Sequence, residues 1–262
     1  MTVLAGGILA GTVSIVTGAG TGIGRATARR LAALGATVIG CGRTEATLAE
    51  TGGLIAAAGG RFRHRIVNVR DADAAAAFIA EVGGAEGAID LLVNNAGGQF
   101  FAPATEISAR GWQAVIDLNL TAVFTLCKAA HAFLARRGGA IVNISLSAVE
   151  RGSMGMAHSI AARAGVLGLT KTLALEWARD RIRANCIGPG TVPTRGLEGE
   201  ADRALLDRLV AATPLGRTTT PEEVAELIAF LASPAGAMIT GQLLQIDGGA
   251  HLGAGLHLIE PT

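Results

Sequence analysis

The 262-residue sequence contains no tyrosine, and with two Trp and seven Phe its aromatic content is only 3%. A chain without phenols cannot use one as an acid, and aliphatic side chains must fill its core. Cysteine is scarce too. Cys41, Cys127 and Cys186 are odd in number, widely spaced and form no CxxC. That usage excludes a disulfide framework, leaves no metal-ligand set, and fits free thiols in a reducing, cytoplasmic compartment. Charge of either sign is low, with 22 Lys and Arg against 21 Asp and Glu for a net +1. Such a balance gives no long-range attraction to nucleic acid or to anionic lipid, so neither is expected as a partner. No apolar run reaches the ~18 residues that a membrane span needs. "MTVLAGGILAG" lacks the basic leader of a signal peptide, and "IEPT" carries no peroxisomal or retention signal.

What is present is Ala, Gly and aliphatic residues: half the chain is hydrophobic and 37 residues are Gly. This suits helices packed tightly on a sheet. No repeat and no linker rich in Pro, Ser or charge interrupts residues 1–262, which predicts a single domain. Short β-branched runs predict strands at Val13–Thr17, Thr37–Cys41, Arg65–Val69, Leu91–Asn94, Ala140–Ser145, Arg183–Ile187 and Leu243–Ile246. Between them, helical patterns begin near Gly22, Thr44, Ala72, Ala109, Gly155 and Pro221. Alternation of this kind predicts an α/β fold, a doubly wound, mainly parallel sheet with helices on both faces. In the first helix Ile23, Thr27, Leu31 and Leu34 recur at helical spacing, and Gly35 stands where a left-handed residue ends a helix. The alternating "RFRHR" at Arg61–Arg65 reads as a strand with one wet face rather than a binding patch. Residues 191–213 break the rhythm. They are long and polar, follow a strand end, and are expected to form a substrate lid.

"VSIVTGAGTGIGRA" (Val13–Ala26) places Gly18, Gly22 and Gly24 between a strand and a helix. Residues without Cβ let the backbone approach a pyrophosphate, whose charge the helix N-terminus favours. Gly18, Thr21, Gly22 and Ile23 are therefore candidate cofactor contacts. About twenty residues on, an NAD site would offer a carboxylate to the ribose; here "VIGCGRTE" offers Gly42 and Arg43. Arg43 would grip a 2′-phosphate, so NADPH is expected. Asn68 and Val69 at the next strand end suit the adenine. Asn95, Ala96 and Gly97 suit the sugar, and Pro189, Gly190, Val192 and Thr194 the carboxamide.

Together these pieces resemble the short-chain dehydrogenase/reductase family. The matching motifs are TGxxxGIG at Thr17–Gly24, NNAG at Asn94–Gly97, Asn119 within "DLNLTAVF", "IVNIS" at Ile141–Ser145, Pro189–Gly190, "PLGRTTTPEEVA" at Pro214–Ala225 and "ITGQLLQIDGG" at Ile239–Gly249. They run in order over nearly the whole chain. The resemblance implies a Rossmann-like sheet of about seven strands, a nicotinamide cofactor and a homotetramer. It also implies an Asn–Ser–Tyr–Lys set, of which only Asn119 is kept: Leu146 falls at the Ser with Ser145 beside it, Ser159 at the Tyr and Arg163 at the Lys. "NNAGGQFFAPATEIS" and "HSIAARAGVLGLTKTLALEW" are similar to peroxisomal trans-2-enoyl-CoA reductase and, less closely, to 2,4-dienoyl-CoA reductases. That likeness implies NADPH-dependent reduction of a C=C bond conjugated to a thioester, in fatty acid metabolism.

The chemistry tolerates the missing phenol. Hydride added to a ketone creates an alkoxide that needs a strong nearby acid. Hydride added to Cβ of an enoyl thioester creates an enolate, which hydrogen-bond donors can hold while Cα takes a proton from water. Four residues apart on a helix, Ser159 and Arg163 share a face. Arg163 is expected to bind the nicotinamide ribose and hold a fixed charge; Ser159, with Ser145 or Ser147, to donate to the thioester oxygen or hold the water; Asn119 to anchor that water through the backbone bend usual at this helix position. His158 is the rival acid, and Glu150 a further acid–base candidate. Arg195, Arg203 and Arg208 in the lid either meet CoA phosphates or are simply solvated. Two alternatives stay open: a reductase of a carbonyl or imine in a specialised metabolite, and a non-redox protein of this fold that only binds cofactor or substrate.

Overall fold

The computed structural model describes residues 4–193 and 200–252. Seven strands alternate with helices: β1 (Val13–Thr17), α1 (Gly22–Ala33), β2 (Thr37–Gly42), α2 (Glu45–Ala57), β3 (Arg61–Ile66), α3 (Ala72–Glu86), β4 (Leu91–Asn94), α4 (Ala109–Ile116), α5 (Ala122–Leu134), β5 (Ala140–Ile144), α6 (Ala157–Glu176), β6 (Arg183–Pro189), α7 (Glu200–Ala211), α8 (Pro221–Ala232) and β7 (Leu243–Ile246). The strands form one sheet in the order β3-β2-β1-β4-β5-β6-β7, and every pairing is parallel. The order reverses between β1 and β4, opening a crevice at the carboxyl ends of the strands, where ligands of such sheets bind.

Both sheet faces are covered, so successive strand residues are buried on opposite sides. Val13 and Ile15 of β1 and Ile141 of β5 join α3, α5 and α6 in one core; Val16, Val142 and Ile144 join α1, α2 and α8 in the other. Each fully buried aliphatic side chain contributes about 1.5–3 kcal/mol relative to exposure. The predicted left-handed Gly35 has φ +97° and ends α1, with Ala10 so close that a Cβ would lie 3.2 Å from its Cα.

Two expectations are corrected. The third strand is not Arg65–Val69 but Arg61–Ile66, in register with β2 from Thr37↔Arg61 to Gly42↔Ile66. It is an edge strand with its arginines exposed, and Arg63 and Arg65 pair with Glu86 and Glu81 of α3. Asn68 and Val69 therefore lie beyond the strand, in a turn where Asn68 accepts from the Arg70 and Asp71 amides. Helix α6, expected to begin near Gly155, begins at Ala157, just after Gly155 turns the chain with φ +76°. Within residues 191–213, Glu200–Ala211 is a helix, and Arg203 and Arg208 on it are exposed. Thr194 and Arg195 lie outside the described residues.

Candidate active site

The candidate cofactor residues gather at the carboxyl edge of the sheet. Gly18 and Gly22 take φ +67° and +49°, and a Cβ on Gly24 would lie 2.1 Å from the Gly18 carbonyl oxygen. The turn can thus fold only without those side chains. Thr21 N-caps α1 in extended conformation with no side-chain cap bond, and the first turn carries no acidic residue. The amide groups and dipole of α1 are left for an anion. Ile23 follows, partly exposed. Arg43, just past β2, is exposed and has no carboxylate partner among the described residues, as a phosphate-binding guanidinium requires.

Asn95 is fastened to the end of β1. Its Nδ2 donates to Thr17 O at 2.9 Å, while Thr17 Oγ1 accepts from the Asn95 and Ala96 amides at 3.0 and 2.9 Å. Beyond them Gly97 faces Arg163 and Asn119 so closely that a Cβ would lie 2.7 and 2.8 Å from their polar tips. On the other side β6 ends at Pro189. Gly190 donates to Ile246 O at 3.1 Å and passes within 2.8 Å, measured from a would-be Cβ, of Asp247 Cα; Val192 packs on the core. The open helix end, glycine cradle and unpaired Arg43 fit a dinucleotide carrying a 2′-phosphate.

Asn119 sits where the helix slips register. Asp117–Thr121 forms a π-turn between α4 and α5, a device common at functional sites. The Asn119 amide donates to Val115 O and Gly98 O, both at 2.8 Å, and its Oδ1 accepts from Gly98 N at 3.2 Å and Arg163 Nη2 at 3.0 Å. All its hydrogen-bonding capacity along these directions is engaged. The side chain anchors the Gly97–Gly98 turn and Arg163.

Arg163 is the hub. Its Nη1 donates to Ile144 O at 2.7 Å and to Ser145 O at 3.3 Å. Burial draws the guanidinium down to about 10, and a nearby thiol, Cys186, opposes this only in part. At neutral pH it stays a cation. Ser145, almost fully buried, donates its hydroxyl to the Arg163 carbonyl at 3.2 Å. It secures the helix that carries Arg163. Ser147 is also buried, in the turn Ser147–Glu150, whereas Glu150 is exposed.

Ser159 is wholly buried, and its hydroxyl donates to Gln99 Oε1 at 2.7 Å. The group at the Tyr position thus ends against a neighbouring amide, and it is Gln99, exposed, that stands at the mouth. Sequence reasoning passed over Gln99, although the quoted "GGQF" carried it. A glutamine in a Gly-rich turn signals no chemistry until its partner is seen. His158 is wholly buried and lies edge-to-face against Phe100, ring centroids 4.2 Å apart and planes at 76°, so it does not front the crevice.

Three thiols are buried, and loss of solvation pushes Cys41 and Cys127 up to about 12 and Cys186 up to about 11. None is a nucleophile at neutral pH. No group of metal-ligating side chains occurs among the described residues, and no helix among them is long and apolar enough to cross a membrane.

Comparison with known proteins identifies the family. A family model described as enoyl-(acyl carrier protein) reductase matches residues 18–251. The "Probable 2,4-dienoyl-CoA reductase" of Bacillus subtilis is 39% identical, over 91% of this chain and 96% of its own. A 3-oxoacyl-(acyl-carrier-protein) reductase of Thermotoga maritima is 37% identical, over 92% of this chain and 98% of its own. A solved structure, the "putative NAD(P) dependent gluconate 5-dehydrogenase" of Beutenbergia cavernae with bound NADP at low occupancy, superposes with a TM-score of 0.87 at 37% identity, covering 94% of this chain and 99% of its own. With the crossover order, the glycine turn and the sequence match in agreement, the chain is an NADP-dependent oxidoreductase that belongs to the short-chain dehydrogenase/reductase family.

Proposed function

We propose that the protein reduces the C=C bond of an enoyl thioester. The observation that carries this reading is the Ser159–Gln99 hydrogen bond: at the place of a phenolic acid stands a hydroxyl already committed to an amide. A site of this make-up holds negative charge well but supplies no proton of its own. NADPH, when bound, supplies the hydride. Gln99 is exposed and has its Oε1 held by Ser159, and its Nε2 is assigned as a donor to the thioester oxygen. Arg163, fixed by Ile144, Ser145 and Asn119, keeps a positive charge beside the developing enolate. Preorganised donors of this kind stabilise a delocalised anion without reorganising, and Cα is protonated from water. Asn119 and Ser145 act here by holding Arg163 and the Gly97–Gly98 turn. Gly18, Thr21, Gly22, Ile23, Arg43, Asn68, Val69, Asn95, Ala96, Gly97, Pro189, Gly190 and Val192 are assigned to the cofactor, with Arg163 at its ribose. Residues 191–213 are assigned to the substrate lid, and the assembly is a homotetramer.

The rival is carbonyl reduction, favoured by the 37% identity to the Thermotoga 3-oxoacyl reductase. Stopped-flow NADPH oxidation with crotonyl- to decenoyl-CoA, run beside acetoacetyl-CoA, separates the two. Rapid turnover of the enoyl series and at least ~100-fold slower ketone reduction is expected, since a single uncompensated proton transfer is worth that much. The reverse ranking would refute the proposal.

A further inference from the structure

His158 and Ser159 are consecutive on α6, so their side chains diverge by about 100° around the axis. Ser159 meets Gln99 and His158 meets Phe100. Two successive residues of the loop after β4 thus land on two successive residues of one helix. A third tie follows, Ala102 N donating to Gly155 O at 3.0 Å. The middle tie is the unusual one. The imidazole is 0% exposed, and both of its ring nitrogens are buried without a protein partner among the described residues. An unpaired buried polar group destabilises the fold. In return the ring makes a T-shaped contact with Phe100, a residue still 40% exposed.

We infer that His158 is a positioning residue: it clamps Phe100, and through that contact holds the adjoining Gln99 amide in line for the substrate oxygen. The inference rests on the role of Gln99 proposed above, but the clamp itself can be read without turnover. The test compares His158→Ala, His158→Phe and Phe100→Ala in the full-length, NADP-loaded protein. It measures hydrogen exchange at the Phe100–Ala102 amides together with kcat and KM for enoyl-CoA reduction. His158→Ala should speed exchange and lower kcat by roughly tenfold, as expected for loss of one aromatic pair contact, with NADPH affinity unchanged. His158→Phe should restore both, because the ring and not its nitrogens does the clamping. Phe100→Ala should reproduce His158→Ala from the exposed side, even if His158→Ala folds poorly. Unchanged exchange in His158→Ala and Phe100→Ala would overturn the clamp. So would a folded, NADPH-binding His158→Phe that is as impaired as His158→Ala, since the nitrogens would then be the active part. If the wild-type protein reduces no enoyl thioester, the functional reading fails, while the exchange data still decide the clamp.

Discussion

At the scale of single residues, the proposed preference for NADPH rests on one charge, that of Arg43. Arg43 stands beyond β2 without a carboxylate partner among the described residues, and Gly42 before it presents no side chain to a ribose. Charge-assisted hydrogen bonds are worth about 1.5–3 kcal/mol. Arg43→Ala should therefore weaken NADPH binding by roughly 10- to 100-fold and leave NADH nearly unaffected, as fluorescence titration of both would show; equal losses would remove Arg43 from the 2′-phosphate. Arg163 illustrates the opposite arrangement, a half-buried charge held by two backbone carbonyls and one amide oxygen. Its planar fork reaches several acceptors at once, which a lysine point charge cannot. The replacement of Lys by Arg was legible in the sequence. Its partners were not, since Ile144, Ser145 and Asn119 come from separate segments.

Among the elements, α8 shows how far local sequence can go. "TTTPEEVA" spells an N-cap, a Pro in the first turn and a capping Glu, and the structure contains the full box: Thr220 Oγ1 accepts from Glu223 N at 3.2 Å, and Glu223 Oε2 accepts from Thr220 N at 2.8 Å. The Arg217 fork, ahead of the Thr220 amide, holds the Glu223 carboxylate down to about 2. The sign follows directly. A carboxylate depressed in the folded state adds stability that is complete above its ordinary value of 4.5 and is lost as pH falls toward about 2. Because Glu223 is largely solvated, the gain is at most ~1 kcal/mol. Urea midpoints of wild type and Glu223→Gln should differ at pH 6 and converge as pH drops through that window. The third strand shows the limit. "RFRHRIVNV" contains two overlapping β-like runs, and the charged one is the strand because β2 offers its partner register there. The apolar Val67 and Val69 are buried instead by a turn against the core. The π-turn at Asn119 was foreshadowed only as a bend, since nothing in "DLNLT" specifies a skipped carbonyl.

For the whole molecule, a parallel sheet buried on both faces leaves its chemistry to the loops at one edge. Large apolar side chains nonetheless remain outside. Trp112, Phe124 and Leu175, on α4, α5 and α6, are 40%, 48% and 81% exposed. Exposed apolar side chains on helices are candidates for burial between subunits of the proposed homotetramer. Light scattering after size exclusion should give about four times the 26.4 kDa chain mass; a monomer at micromolar concentration would contradict it.

The linear sequence alone determined the alternation of strand and helix, the glycine turn before α1, the likeness to one family and the absence of any phenol. The first two are carried by residues within about one element of each other, where periodicity and backbone sterics act, and the last two are read along the whole chain without any contact being known. The tertiary structure decided which strand pairs with which, that Asn119 and Ser145 serve Arg163, that Ser159 spends its hydroxyl on Gln99, and that His158 turns away from the crevice. Those outcomes join residues far apart in the chain, 60 positions in the Ser159–Gln99 bond and 77 where Ser14 of β1 pairs with Leu91 of β4. Hydrogen bonds are short-ranged and directional, so such partners become known only once the sheet has brought their loops to the same edge.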